Sequence, residues 1–245
     1  MTKIKKHGKK IAVGFILLVM GIFVGLSIFI DSRTYEPMEE AVTLLEDERV
    51  IHEDDWLLIE PEDEARTNLV LYQGAFVEAE GYLPLAVSLS NHGVRVFLPY
   101  MPLNLAILNS DIFEEIYNNY SSDLPWWVGG HSLGGTSSLM YAEENQEKLE
   151  GVLLLASYPS ENTDLSQSNL TVLSIHATHD EIINKSQYEE TKSLLPNNTS
   201  YITINAGNHS YFGYYGFQNG DGRSEISREE QHDQVVKAIL ELLND

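Results

Sequence analysis

Short apolar runs, each followed by a helical pattern, limit the folds open to this chain more than any other feature. They are NLVLY at 68–72, VRVFL at 94–98, WWVG at 126–129, GVLLLA at 151–156 and TVLSIH at 171–176. A strand that is apolar on both faces is buried on both. Helical spacing separates these runs at 79–91, near 110–119, at 136–148 and at 186–195. A further strand at 200–205 and an amphipathic helix at 227–243 finish the chain. Two short strands are expected at 50–52 and 56–60, and a weak helix over 36–48. Alternation of this kind predicts an α/β fold: a mostly parallel, doubly wound sheet with helices on both faces. Such a sheet carries its functional loops at the carboxyl ends of its strands. No internal repeat or linker interrupts the pattern, so 50–245 reads as one domain.

The chain has 245 residues, 43% of them apolar and 21% charged, enough for one large core. It contains no cysteine, which excludes disulfides, thiolate metal sites and a cysteine nucleophile. Charge is unevenly placed. Positions 1–30 hold five lysines and no acid, and the remainder carries 10 basic against 37 acidic residues. An acidic body repels nucleic acid, and its plain reading is a solvated surface.

Positions 11–30 form an uncharged run, IAVGFILLVMGIFVGLSIFI. About 20 helical residues cross a bilayer core. Lys3, Lys5, Lys6, Lys9 and Lys10 precede the run, and Asp31, Glu36, Glu39 and Glu40 follow it. This predicts a single-pass transmembrane signal-anchor at 11–30, with positions 1–10 cytoplasmic and 31–49 juxtamembrane. The protein would then sit in the cell membrane with the body of the chain extracellular. A cleaved signal peptide is the competing reading, but the run ends Ser-Ile-Phe-Ile-Asp, a poor cleavage site.

Chemistry enters at Gly130-His131-Ser132-Leu133-Gly134, a G-x-S-x-G pattern between a strand and a helix. That context makes the serine the apex of a tight turn above the sheet, with a helix amino terminus beneath it. Ser132 is the expected nucleophile. Leu133 N–H can face an oxyanion, aided by the helix dipole. An acid belongs after a late strand, and Asp180 closes TVLSIHATHD. A histidine belongs after the last strand, and His209 follows in NAGNH. Asp180 alone could be a cap and His209 alone a loop residue. Their joint placement in the order Ser, Asp, His selects Ser132, Asp180 and His209 as the catalytic triad. The second oxyanion donor falls in Tyr72-Gln73-Gly74-Ala75-Phe76, where Ala75 N–H is the first choice and Phe76 the second.

The region from about 50 to 243 resembles the small bacterial α/β hydrolases grouped with dienelactone-hydrolase-like and esterase-like proteins. The stretches that carry the likeness are Tyr72-Gln-Gly-Ala75, Met101-Pro-Leu-Asn-Leu-Ala106, Gly129-Gly-His-Ser-Leu-Gly-Gly135, Thr178-His-Asp180, Gly207-Asn-His-Ser-Tyr-Phe-Gly213 and Gly220-Asp-Gly222. The resemblance implies the α/β-hydrolase fold and cofactor-free acyl transfer from a small ester to water. True dienelactone hydrolases use a cysteine nucleophile, and this chain departs from them with a serine. The anchor adds lysophospholipid or cell-envelope ester cleavage as an alternative. A non-catalytic binding module on the same scaffold is the rival of a different class.

Other candidates rank lower. H-x-x-H-D at 176–180 invites a metal, but residues three apart on a strand point to opposite faces. No metal is expected. Tyr211, Phe212, Tyr214, Tyr215 and Phe217 either wall a pocket or pack their own loop down. Trp126 and Trp127 read as core. Only fourteen residues separate Ala156 from Thr171, too few for a lid there, and an open site suits small or extended esters.

Overall fold

Each apolar run becomes a strand because the pleat sends alternate residues to opposite faces and both faces are covered. In the computed structural model, β3 (Thr67–Tyr72) directs Leu69 and Leu71 into one core and Val70 and Tyr72 into the other. β6 (Gly151–Leu155) divides Leu153 and Leu155 from Val152 and Leu154 in the same way. The structure describes positions 15, 17, 18, 20, 21, 24, 25, 28–30, 32–120 and 122–243. The chain divides into two compact units, 1–34 and 35–245, and the whole sheet belongs to the second.

The other strands are β1 (Val50–His52), β2 (Trp56–Ile59), β4 (Val94–Pro99), β5 (Trp126–His131), β7 (Thr171–Ala177) and β8 (Ser200–Ile204). The eight form one sheet in the order β1-β2-β4-β3-β5-β6-β7-β8. β1–β2 and β2–β4 pair antiparallel, and every later pair is parallel. The helices of this unit are α1 (Glu39–Val42), α2 (Leu83–Ser90), α3 (Ile112–Asn119), α4 (Leu133–Glu144), α5 (Lys185–Thr191) and α6 (Arg228–Leu243). α2 and α6 bury Leu83, Leu85, Leu89, Val235 and Ile239 against one face. α3 and α4 bury Ile112, Phe113, Ile116, Leu139 and Ala142 against the other.

Register sets the functional edge. Tyr72 pairs with Gly130, His131 with Leu155 and Ala177 with Ile204. The carboxyl ends of β3, β5, β6, β7 and β8 therefore finish along one edge of the sheet. The loops after them carry Ala75, Ser132, Asp180 and His209.

Several boundaries differ from the sequence reading for local reasons. α4 starts at Leu133 rather than 136, because Gly134 and Gly135 are weak helix formers that packing holds helical. The weak helix over 36–48 is reduced to α1 and a 3₁₀ turn at Thr43–Glu46. Residues from Tyr35 onward are tied to the unit. Tyr35 N–H donates to Phe76 O at 2.7 Å, and Met38 N–H donates to Tyr214 O at 2.8 Å.

The expected transmembrane helix at 11–30 is corrected. Described residues within that run are helical, but among the described residues no helix is long and apolar enough to cross a membrane. A span needs about 20 consecutive apolar helical residues, and no helix of the described residues reaches that. Positions 1–14, and several others up to 31, lie outside the described residues. The membrane-anchored reading, the membrane partner and the cell-membrane location with an extracellular domain fall with the helix.

Leu153 tests the core directly. It is fully buried on β6, between β5 and β7. Leu153→Ala should lower stability by about 3 kcal/mol through lost burial and a residual cavity. Urea unfolding should show this as a lower midpoint with an unchanged slope.

Candidate active site

The turn between β5 and α4 holds Ser132 at φ 53° and ψ −122°, a conformation that side chains rarely adopt. Strain of this kind costs about 1–3 kcal/mol and persists only where the surroundings enforce it. Here they do. Ser132 N–H donates to Leu155 O at 2.9 Å, and Ser157 Oγ donates to Ser132 O at 2.7 Å. A Cβ on Gly130 would lie 2.4 Å from the backbone carbon of Gly134. A Cβ on Gly134 would lie 2.4 Å from Tyr72 O. Only glycine lets the amino end of α4 reach the end of β3. Leu133, first in α4, has no carbonyl within the helix to receive its N–H.

Asp180 and His209 are brought together. His209 Nδ1 lies 2.7 Å from Asp180 Oδ2, and both side chains are buried. The other Asp180 oxygen accepts the N–H groups of Ile182 at 2.8 Å and Ile183 at 3.1 Å. A carboxylate so engaged can only accept, so Nδ1 carries the imidazole proton and Nε2 keeps its lone pair. His209 Nε2 is buried and has no hydrogen-bond partner among the described residues. The structure thus closes the Asp180–His209 link and leaves the Ser132–His209 link open. Such bonds are often long in unliganded enzymes and tighten with substrate.

The loop after β3 sorts the two oxyanion candidates. Phe76 N–H is committed to Asn104 O at 2.8 Å, and Gly74 N–H to Tyr82 Oη at 3.0 Å. Ala75 N–H has no acceptor among the described residues. Tyr82 holds this loop, a role that no pattern in the sequence marks. Its hydroxyl accepts from Gly74, so its own proton goes to His131 Nδ1, 2.8 Å away. His131 is then the Nε2–H tautomer, and its ring lies 4.4 Å from that of His209. Burial, and then the charge of His209, hold the His131 pKa well below that of an ordinary imidazole.

A cleft of about 520 Å³ opens at Ser132 and Leu133. Tyr158, Ser160 and Asn162 from the loop after β6 form one wall, and Ile182 and Gln187 lie on another. Of the aromatic residues after His209, three pack their own loop, while Tyr211 is half-buried and Phe217 exposed. Phe212, Tyr214 and Tyr215 are buried, and none of them lines the cleft. Arg228 clasps that loop through the carbonyls of Ser210 and Gly216, each at 2.9 Å, and of Gly213. Its guanidinium lies 4.2 Å from the Tyr211 ring centre, and burial lowers its pKa. Trp126 and Trp127 are buried in the cores. His176 sits between Tyr188 Oη and Thr203 Oγ1. Among the described residues no cluster of three or more His, Asp or Glu is placed to hold a metal.

The sheet order, the strained serine turn and the histidine–carboxylate pair at one sheet edge define an α/β-hydrolase-fold enzyme. The chain belongs to the alpha/beta hydrolase family, whose sequence profile matches residues 68–233. No curated protein shows a significant match to the chain. Among solved structures it is similar to Est1E from Butyrivibrio proteoclasticus with ferulic acid bound, at 13% identity and TM-score 0.60, over 80% of this chain and 99% of that one. It is similar to a dienelactone hydrolase from Anabaena variabilis, at 15% identity and TM-score 0.54, over 76% and 90%. It is also similar to FphF, a fluorophosphonate-binding serine hydrolase of Staphylococcus aureus, at 14% identity and TM-score 0.55, over 80% and 97%. At these identities the likeness is one of fold.

Two buried neutral histidines make stability depend on pH. Burial lowers His232 to about 4, and His131 is also depressed. In the unfolded chain both return to about 6.5 and bind protons that the folded state refuses. Stability is therefore full above pH 6.5 and falls as pH drops below it, by roughly 3 kcal/mol from His232 alone by pH 4. The urea midpoint should fall between pH 7 and 4.5. His232→Phe, which keeps a ring against Tyr214, should flatten that fall. A variant as acid-sensitive as wild type would remove His232 from the account.

Proposed function

We propose that the chain is a serine hydrolase that cleaves a small carboxylic ester through an acyl-enzyme. The observation that carries this is the buried 2.7 Å Asp180–His209 hydrogen bond, with Nε2 unpaired, at the sheet edge where Ser132 is held strained. His209 Nε2 takes the Ser132 Oγ proton as Oγ attacks the ester carbonyl. Asp180 orients the ring through Nδ1 and stabilises the imidazolium. Leu133 N–H and Ala75 N–H receive the oxyanion. The imidazolium then gives its proton to the leaving alcohol. Water attacks the acyl-enzyme with His209 as base, and Ser132 is restored. No cofactor enters.

Two of the similar proteins are consistent with this chemistry. One holds ferulic acid, and the other binds fluorophosphonates as a serine hydrolase. The cleft is open at its rim and walled by short polar side chains beside Ile182 and Tyr158. Short acyl esters fit it. With p-nitrophenyl esters of graded length, kcat/KM should peak at short chains and fall for long ones. A preference for long chains would move the acyl site elsewhere.

Ser132→Ala should abolish fluorophosphonate labelling and lower kcat by roughly 10⁴-fold or more. His209→Ala should do about as much, and the double variant should be little worse, because the two residues act as one unit. Asp180→Asn should cost less, since the imidazole remains but loses its orienting acceptor. Circular dichroism should report a fold retained in all three single variants. Wild-type protein that neither labels nor hydrolyses any ester would favour a binding module on this scaffold.

A further inference from the structure

The stretch Gly220-Asp221-Gly222 has no part in the proposed chemistry, yet it is pressed between the acid loop and the histidine loop. A Cβ on Gly222 would lie 2.0 Å from His179 O, so only glycine passes so close to the residue before Asp180. Gly222 O in turn accepts from Asn208 Nδ2 at 2.9 Å, beside His209.

Asp221 makes this wedge a clamp. Its Oδ2 accepts Ser210 N–H at 2.8 Å and Ser210 Oγ at 2.6 Å. Its Oδ1 accepts Gly222 N–H at 2.8 Å, His209 N–H at 3.3 Å and Glu181 N–H at 3.4 Å. One carboxylate thus gathers the main chain at His209 and Ser210 with the main chain just after Asp180. Ser210 Oγ also receives Gln218 N–H at 2.9 Å, which closes the loop on itself. The His209 ring is fixed at Nδ1 by Asp180, but that bond alone leaves the backbone carrying the ring free to shift. Gln231 holds Asn208 and Arg228 holds Ser210 O, but only Asp221 ties the His209 and Ser210 main chain to the acid loop at Glu181.

We propose that Asp221 is a positioning residue for His209: it holds the histidine main chain at a set distance from the acid loop, so that Nε2 is aimed at Ser132. The proposal rests on the serine-hydrolase reading above. A displacement of about 1 Å at a reacting group can lower a rate about 100-fold, so a loosened clamp should be felt in turnover. None of the groups that Asp221 holds lines the cleft, so substrate binding should be little affected.

The test is Asp221→Asn in the full chain. An amide keeps the size, but its NH₂ meets N–H donors on one side, so one set of contacts is lost. The expected result is a kcat lowered roughly 10–100-fold with KM nearly unchanged, and fluorophosphonate labelling slowed in parallel. The downfield Nδ1 proton resonance of His209, assigned by its loss in His209→Ala, should shift or broaden while circular dichroism is retained. Wild-type kcat with an unshifted resonance would overturn the proposal. So would a loss of kcat that follows the unfolded fraction alone while the folded protein keeps the wild-type resonance. If Asp221→Asn does not fold, Ser210→Ala removes the 2.6 Å bond and should lower kcat about threefold with a shifted resonance. Unchanged values there would overturn the proposal equally. If the wild type turns over no ester, the hydrolase reading fails separately. The resonance still decides the clamp: a shift in Asp221→Asn upholds it, and no shift overturns it.

Discussion

The backbone-to-backbone approach at the serine turn is the constraint on which the remaining architecture rests. α4 must begin directly at the end of β5, and its first turn must touch the last residues of β3. Side chains cannot be accommodated there, so Gly130 and Gly134 carry none. Once that contact is made, Ser132 is forced to φ 53°, and the loop after β3 is fixed beside the amino end of α4. Gly134 thus governs both the pose of Ser132 and the distance to the Ala75 amide. The sheet order places β3 next to β5, which makes this approach possible.

Polar atoms around this turn are buried to an unusual degree, and not all of them are satisfied. Asp180 is fully buried and accepts three hydrogen bonds, which offsets the loss of water around its charge. His209 Nε2, His131 Nε2 and Gln73 Oε1 are buried without partners among the described residues. Each such atom costs about 1–3 kcal/mol. Trp56 Nε1, Trp126 Nε1, Tyr215 Oη and His232 Nε2 are likewise unpaired, so this cost is spread through the unit, and the share at His209 leaves a free lone pair.

Much of this architecture is legible in the chain itself. The strands of the inner sheet announce themselves because both faces are apolar, and the order of serine, acid and histidine follows the chain. The exchange of β3 and β4 in the sheet leaves no trace in periodicity, since either neighbour would bury the same residues. Periodicity places the start of α4 three residues late, because glycine propensity points away from helix and only packing overrides it. Tyr82 and Asp221 act by side-chain bonds to distant backbone, and such bonds have no spacing to read. The apolar run at 11–30 shows the limit of composition: it states what could enter a bilayer, whereas among the described residues no helix is long and apolar enough to cross one.

The stitching of residues 35–38 has a mechanical meaning. Tyr35 forms a one-residue bridge to Val77, its N–H on Phe76 and its carbonyl taking Glu78 N–H, and Met38 is bonded to Tyr214. Within this unit the bonds of Tyr35 are therefore to the loop that holds the Ala75 amide, and that of Met38 is to the loop beyond His209. The sheet itself is reached only later, at β1. A pull at this amino end would be transmitted to those two loops in series before any strand was disturbed. The geometry of the Ala75 and His209 loops would then loosen at loads that leave the core intact.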